Sequence, residues 1–186
     1  MEQEWLKIDM HTHSQYSKIM KPSDAGKTKN MSAKEFVDTL LEKNVKIFSV
    51  TDHNYFSKAF YDEIDKYTEN LGIKVINGVE FDAKVDLNDG SKDFIHICIY
   101  FDDNVDRDEL AKTVHNLYFD ATGAEIKPSF VDILNELKKL NSKYLLFHMV
   151  IKIEDYLKKI LLISLKLKAI LNFINMQCIK YLMHLM

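Results

Sequence analysis

The chain is poor in the residues that staple, punctuate or export a protein. Its 186 residues hold two cysteines, Cys98 and Cys178, which lie far apart and form no C-x-x-C. Without an export signal they read as reduced cytosolic thiols. The N-terminus MEQEWLKIDM starts acidic and has no long apolar run. It is neither a signal peptide nor a transit peptide, so the expected location is the cytoplasm. Two prolines and five glycines are too few and too scattered for a linker, and no internal repeat is present. Arginine is nearly missing, because every basic residue except Arg107 is lysine. That matches an A/T-rich coding bias rather than a physical demand. The formal charge is only −3, so nothing global calls for nucleic acid or a membrane surface.

What is present is a globular composition, 47% hydrophobic and 28% charged, which argues against global disorder. A chain of this length buries about two thirds of its unfolded surface, enough to fold without metal or disulfide. Short apolar runs at 5–10, 45–51, 73–80, 94–101 and 144–149 read as buried strands. Helix signals lie between them. Ser32 and Glu35 form a capping box before Phe36, Val37, Leu40 and Leu41. Residues 57–71 carry Phe60, Ile64 and Tyr67 at helical spacing, and Gly72 ends that helix. A weaker helix spans 106–117. Ser129, after Pro128, caps another with Phe130, Ile133, Leu134 and Leu137 facing inward. Alternation of strand and helix predicts an α/β domain with a largely parallel sheet. Residues 18–31 and 85–92 read as polar loop insertions.

Five of the seven histidines fall within or at the ends of these strands. His11 and His13 follow the first, His53 follows the second, His96 lies in the fourth and His148 in the fifth, while Glu80 closes the third. In a parallel α/β fold the C-terminal strand ends share one rim, where sites are built. His11 and His13, two apart in an extended segment, project to one side and can hold one cation. Histidine with carboxylate suits zinc, manganese or iron, and Glu80 can bridge two such ions. Asp9 and Asp52 stand beside the histidines and can orient them or bind directly. Taken singly, His96 or His148 reads as an ordinary hydrogen-bonded core histidine. The joint placement on five successive strands is what points to a site. His115 and His184 lack that context and read as structural or surface residues. Asp102, Asp103, Asp106 and Asp108 read as a solvated acidic loop. Arg107 reads first as a surface-loop residue and second as a phosphate clamp.

At these residues the sequence resembles the PHP (polymerase and histidinol phosphatase) family of metal-dependent phosphoesterases. The matching pieces are D-M-H-T-H at 9–13, V-T-D-H-N at 50–54, G-V-E-F at 78–81, F-I-H-I at 94–97 and F-H-M at 147–149. They span roughly residues 4–150, in the family's order. The resemblance implies a distorted βα barrel with two or three divalent transition metal ions on its rim. It implies metal roles for His11, His13, His53, Glu80, His96 and His148, with Glu80 as the bridging carboxylate. The implied reaction is hydrolysis of a phosphate mono- or diester by metal-activated water, with Asp52 positioning the water or accepting a proton. The implied substrate is a phosphorylated small molecule, a nucleotide or a nucleic-acid end. The N-terminal segment and the loop after Tyr16 also look similar to PHP domains fused to large ATPases, which implies an ATPase partner or fused domain and a nuclease role.

Two features depart from the family's pattern. Tyr16 and Ser17 are followed by Lys18 where the family often has a third ligand, and Asp24 is the nearest substitute. The late D-x-H is missing, because no aspartate follows Asp155. Residues 156–186 hold five lysines, no acid, no glycine and no proline. Strand–helix units of about 25–30 residues each cannot repeat there. The expectation is therefore a domain at 1–150, incomplete as a barrel with about five strands, and a helical tail at 151–186. That tail is foreign to the family or the product of a shifted reading frame. Lys166 and Lys168 interrupt its apolar run, so it is no membrane span. Exposed apolar surface at the missing strands would favour self-association. The alternative function is a PHP remnant that binds metal or a partner without turnover, or a fragment of a larger PHP–ATPase nuclease.

Overall fold

A computed structural model describes residues 6–19, 30–86, 92–140 and 142–148. The expected helical tail, Asp24, Cys178 and His184 lie outside the described residues. Five strands form one sheet in the order β1-β2-β3-β4-β5: β1 (Lys7–Thr12), β2 (Val45–Val50), β3 (Lys74–Asp86), β4 (Lys92–Phe101) and β5 (Tyr144–His148). Among the described residues four α-helices accompany it: α1 (Ala33–Glu42), α2 (Lys58–Thr68), α3 (Arg107–Tyr118) and α4 (Phe130–Leu137). Among the described residues, no helix is long and apolar enough to cross a membrane.

The helices start where local chemistry satisfies their first amides. Ser32 and Glu35 make the expected capping box on α1, and Ser129 makes one with Asp132 on α4. Ser57 caps α2 through the Phe60 amide, and Asp106 caps α3 through the amides of Asp108 and Glu109. Each helix then turns a short apolar stripe inward. Phe36, Val37 and Leu40 of α1 join Phe60 and Ile64 of α2, Leu110 and Val114 of α3, and Ile133 and Leu137 of α4 in one cluster. The sheet contributes Phe48, Val50, Val79, Phe81, Ile97, Ile99 and Phe101 to the same cluster. Full burial of each such side chain stabilises the fold by roughly 1.5–3 kcal/mol. Strand alternation leaves Gly78, Glu80 and Asp82 of β3 and His96, Cys98 and Tyr100 of β4 on the other face.

The sheet is mixed, which corrects the expectation of a largely parallel one. β1 pairs with β2, and β2 with β3, in parallel. β4 runs antiparallel to both β3 and β5. The reason lies between β3 and β4. A parallel return needs a crossover of about a dozen residues or more, usually a helix. The polar run at 85–92 carries no helix signal, and its two ends, Asp86 and Lys92, pair with each other as strand. β3 thus continues past Glu80, and His96 reaches the site across a hairpin rather than from a shared rim.

Beneath the site, β2, β3 and β4 approach closely. A Cβ on Gly78 would stand 2.2 Å from Ser49 Oγ and 3.1 Å from the Tyr100 ring. On the helix side, the buried Tyr61 hydroxyl donates to Val50 O at 2.7 Å and accepts from the Gly78 amide at 2.9 Å. It ties the ends of β2 and β3 where their ladder stops. Gly78→Ala must therefore displace the Ser49 hydroxyl and crowd the Thr51 and Tyr100 side chains. We expect it to destabilise the protein by about 1–3 kcal/mol in chemical denaturation, and a change under about 0.5 kcal/mol would contradict this packing.

Candidate metal centre

The site is built on backbone links between three chain segments. The Thr51 amide donates to Thr12 O at 2.7 Å, and Thr12 Oγ1 donates to Ser49 O at 2.7 Å, which holds the end of β1 against β2. Past β2 the chain runs alongside β3: the Glu80 amide donates to Asp52 O at 3.2 Å and the Asn54 amide donates to Glu80 O at 2.7 Å. Tyr100 Oη closes the far side with a hydrogen bond to Met10 O at 2.8 Å. These links bring His11, His13, His53, Glu80 and His96 together from β1, the loop after β2, β3 and β4.

Glu80 is at the centre, 2% exposed. His11 Nε2 lies 3.0 Å, His53 Nε2 3.3 Å and His13 Nε2 3.4 Å from its Oε2. His96 Nδ1 lies 2.7 Å from Oε1. The rings of His13 and His53 stack at 4.9 Å, and His11 meets His13 edge-on at 4.8 Å. Burial pushes the Glu80 carboxyl up, but hydrogen bonds with His11 and His96 and the charge of His53 outweigh it. The net effect holds it well below the usual carboxylate range.

This donor set fits a divalent ion. Three imidazole nitrogens crowd one carboxylate oxygen at 3.0–3.4 Å. Neighbouring ligands of a tetrahedral ion with bonds near 2.1 Å are about 3.4 Å apart, so the nitrogens and the oxygen already sit near ligand spacing. Among the described residues three groups of donors cluster closely enough to share an ion: His11, Glu80 and Cys98; His13, His53 and Glu80; His53, Asp82 and His96.

Surrounding residues fix the donors. Ser17 Oγ accepts from the His53 amide at 3.2 Å and stands 3.5 Å from His13 Nδ1. Asp52, expected at the reacting water, is 2% exposed and takes two hydrogen bonds from Ser14: 2.7 Å from the amide to Oδ1 and 2.5 Å from Oγ to Oδ2. Burial pushes its carboxyl up to about 6 against the opposing pull of Ser14. Asp9 pairs in register with Phe48, and the carboxylates that touch the imidazoles are Glu80 and Asp82. His148 ends β5, where its backbone pairs with Ile97; its side chain lies outside the described set. Arg107 is spent elsewhere, donating to Asn77 at 2.8 Å, Asp62 at 3.1 Å and Asp65 at 2.6 Å. His115 is exposed and stacks on Phe119 at 4.9 Å.

Asp82 and Asn54 are the residues that sequence reasoning missed. Asp82 Oδ1 lies 3.2 Å from His96 Nδ1 and 3.4 Å from His53 Nδ1. Burial pushes its carboxyl up, and His53 and His96 pull it below the ordinary value. Asn54 Oδ1 accepts from the Asp82 amide at 2.7 Å, and its Nδ2 donates to Asp82 Oδ2 at 3.2 Å. The E-F-D run at 80–82 held the signal, because alternate strand residues share a face.

No curated protein matches the sequence. Several solved structures are similar over part of the chain, among them the following two. One comes from Bifidobacterium adolescentis, and its name assigns it as a metal-dependent phosphoesterase: 17% identity, 63% of this chain, 35% of that one, TM-score 0.41. The other is an amidohydrolase from Chromobacterium violaceum, solved with bound sulfate and no metal: 20% identity, 60% of this chain, 33% of that one, TM-score 0.40. The chain thus spans about a third of the length of either. The sequence pattern of the PHP domain matches residues 9–174, most of the chain, and the protein belongs to the PHP domain family.

Proposed function

We propose that the protein is a metal-dependent hydrolase, and more narrowly a phosphoesterase acting on a phosphate mono- or diester. One observation carries the reading: four imidazoles from three chain segments converge on the buried carboxylate of Glu80. Nitrogen and oxygen donors of this kind suit zinc, manganese or iron. When bound, a divalent ion supplies an activated water and positive charge for phosphate oxygens.

The chain's own residues supply position. His11, His13 and His53 present Nε2 to one oxygen of Glu80, and His96 presents Nδ1 to the other. The carboxylate is therefore placed to serve two ions at once. Asp52 acts through Ser14, holding the turn that carries His13 against the loop that carries His53. That makes it a positioning residue. A small phosphoester, a nucleotide or a nucleic-acid end all present the same charged group to such a cluster. An ATPase partner or fused domain would select among them in the full assembly.

A silent metal-binding remnant is the rival reading. Elemental analysis of the purified chain, paired with hydrolysis of a chromogenic phosphodiester and monoester with and without manganese, separates the two. Turnover that needs the metal supports the enzyme; bound metal without turnover on either ester supports the remnant. Glu80→Gln should cut metal-dependent turnover by roughly 100-fold or more. No phosphorylated protein should accumulate, and a trapped phospho-histidine or phospho-serine would refute activated water as the nucleophile.

Removing both imidazoles of the first motif, in His11→Ala with His13→Ala, should abolish tight metal binding. Metal should raise the melting temperature of the wild type and leave that of the double variant unchanged. Equal metal content in the two proteins would eliminate the site. Ser14→Ala leaves a buried carboxylate short of one hydrogen bond and should cost about 1–3 kcal/mol in chelated protein, read by urea denaturation. An unchanged midpoint would remove the anchoring role given to Asp52.

A further inference from the structure

Asp82 is described above as a contact of two imidazoles, and its surroundings ask for more. Its two oxygens are treated differently. Oδ2 accepts from Asn54 at 3.2 Å. Oδ1 is shielded from solvent and receives no well-formed hydrogen bond. Such an oxygen is costly to bury, and native proteins rarely leave one so. The nearest groups are His96 Nδ1 at 3.2 Å and His53 Nδ1 at 3.4 Å.

His96 cannot satisfy it alone. The same Nδ1 lies 2.7 Å from Glu80 Oε1. One ring nitrogen carries at most one proton, so a hydrogen bond to Glu80 leaves Asp82 unserved. His53, Asp82 and His96 offer donor atoms close enough together to share one ion, on the side of the cluster where Glu80 Oε1 meets His96 Nδ1. A cation among them would satisfy all three.

The backbone holds this group in place. Asp82 and His96 are directly opposed in the β3–β4 ladder. Asn54, at φ 51°, fixes β3 from the side, with its amide on Glu80 O and its Oδ1 on the Asp82 amide, each at 2.7 Å.

We propose that Asp82 is a direct ligand of a second divalent cation, held with His53 and His96 beside the ion that Glu80, His11 and His13 face. The proposal rests on the metal-dependent reading above. It adds a carboxylate ligand from β3 that the family motifs quoted for this chain do not contain.

The test loads the full chain with manganese and reads ions per chain, the affinity of each ion, and the electron paramagnetic resonance spectrum. Wild type should hold at least two ions with the spectrum of a spin-coupled pair. Asp82→Ala should hold one ion fewer, lose the coupling, and bind the remaining ion with unchanged affinity. If Asp82 only orients His53 toward Glu80, the affinity of the ion at Glu80 falls instead, and stoichiometry stays the same. That result, or a coupled pair surviving in Asp82→Ala, overturns the proposal. Should Asp82→Ala fold poorly by circular dichroism, Asp82→Asn keeps the shape. It should weaken the second ion about 10-fold or more and spare the first. A wild type with one ion that Asp82→Ala retains also overturns the ligand role while leaving the metal centre standing. A wild type that binds no manganese, zinc or iron defeats the metal-dependent reading itself.

Discussion

A carboxylate without water needs partners, and the burial of Glu80 sets the terms for the structure around it. Glu80 is 2% exposed, and four histidines stand against its two oxygens. An ionised group in that position is tolerable only if opposite charge or hydrogen-bond donors come with it. The fold supplies them from β1, from the loop after β2 and from β4. Each of those segments is in turn tied to a neighbour by a side-chain hydrogen bond: Ser14 to Asp52, Asn54 to β3, and Tyr100 of β4 to Met10 O. Gly78 and Tyr61 belong to the same economy of space, since they let β2, β3 and β4 close together under the carboxylate.

The two faces of the sheet divide the labour. One face buries valine, isoleucine and phenylalanine against the helices and provides most of the stability. The other carries Glu80 and Asp82 of β3 and His96 of β4. Period-two alternation makes this division automatic once the strands are in register, and a slip of one residue would exchange the faces.

Much of this was legible beforehand, for identifiable reasons. Strand positions followed from short apolar runs, and helix starts from Ser32, Ser57, Asp106 and Ser129, because both signals are local. The clustering of His11, His13, His53, Glu80 and His96 followed from motif order. The strand directions did not. A parallel sheet was inferred from alternation of strand and helix, although no helix signal lay between β3 and β4. The gathering of donors held while the rim argument for His96 failed. Asp82 and Asn54 were missed because their partners are 28 residues apart in the chain, and nothing local marks either as special. The two hydrogen bonds that Ser14 makes to Asp52 were not legible either, since 38 residues separate the pair.

The antiparallel pairing of β3 with β4 has a consequence for the order in which the centre assembles. Glu80 and His96 are 16 residues apart, whereas His11 and Glu80 are 69 apart. The entropy lost in closing a loop grows with the logarithm of its length, so the hairpin contact is the cheaper to form. Glu80, Asp82 and His96 therefore belong to a short-range unit, and His11 and His13 belong to an edge strand that must be captured from far along the chain. The centre has a local half and a remote half. Its coordination would be complete only once β1 has docked, which makes full ion binding a reporter of that long-range step of folding.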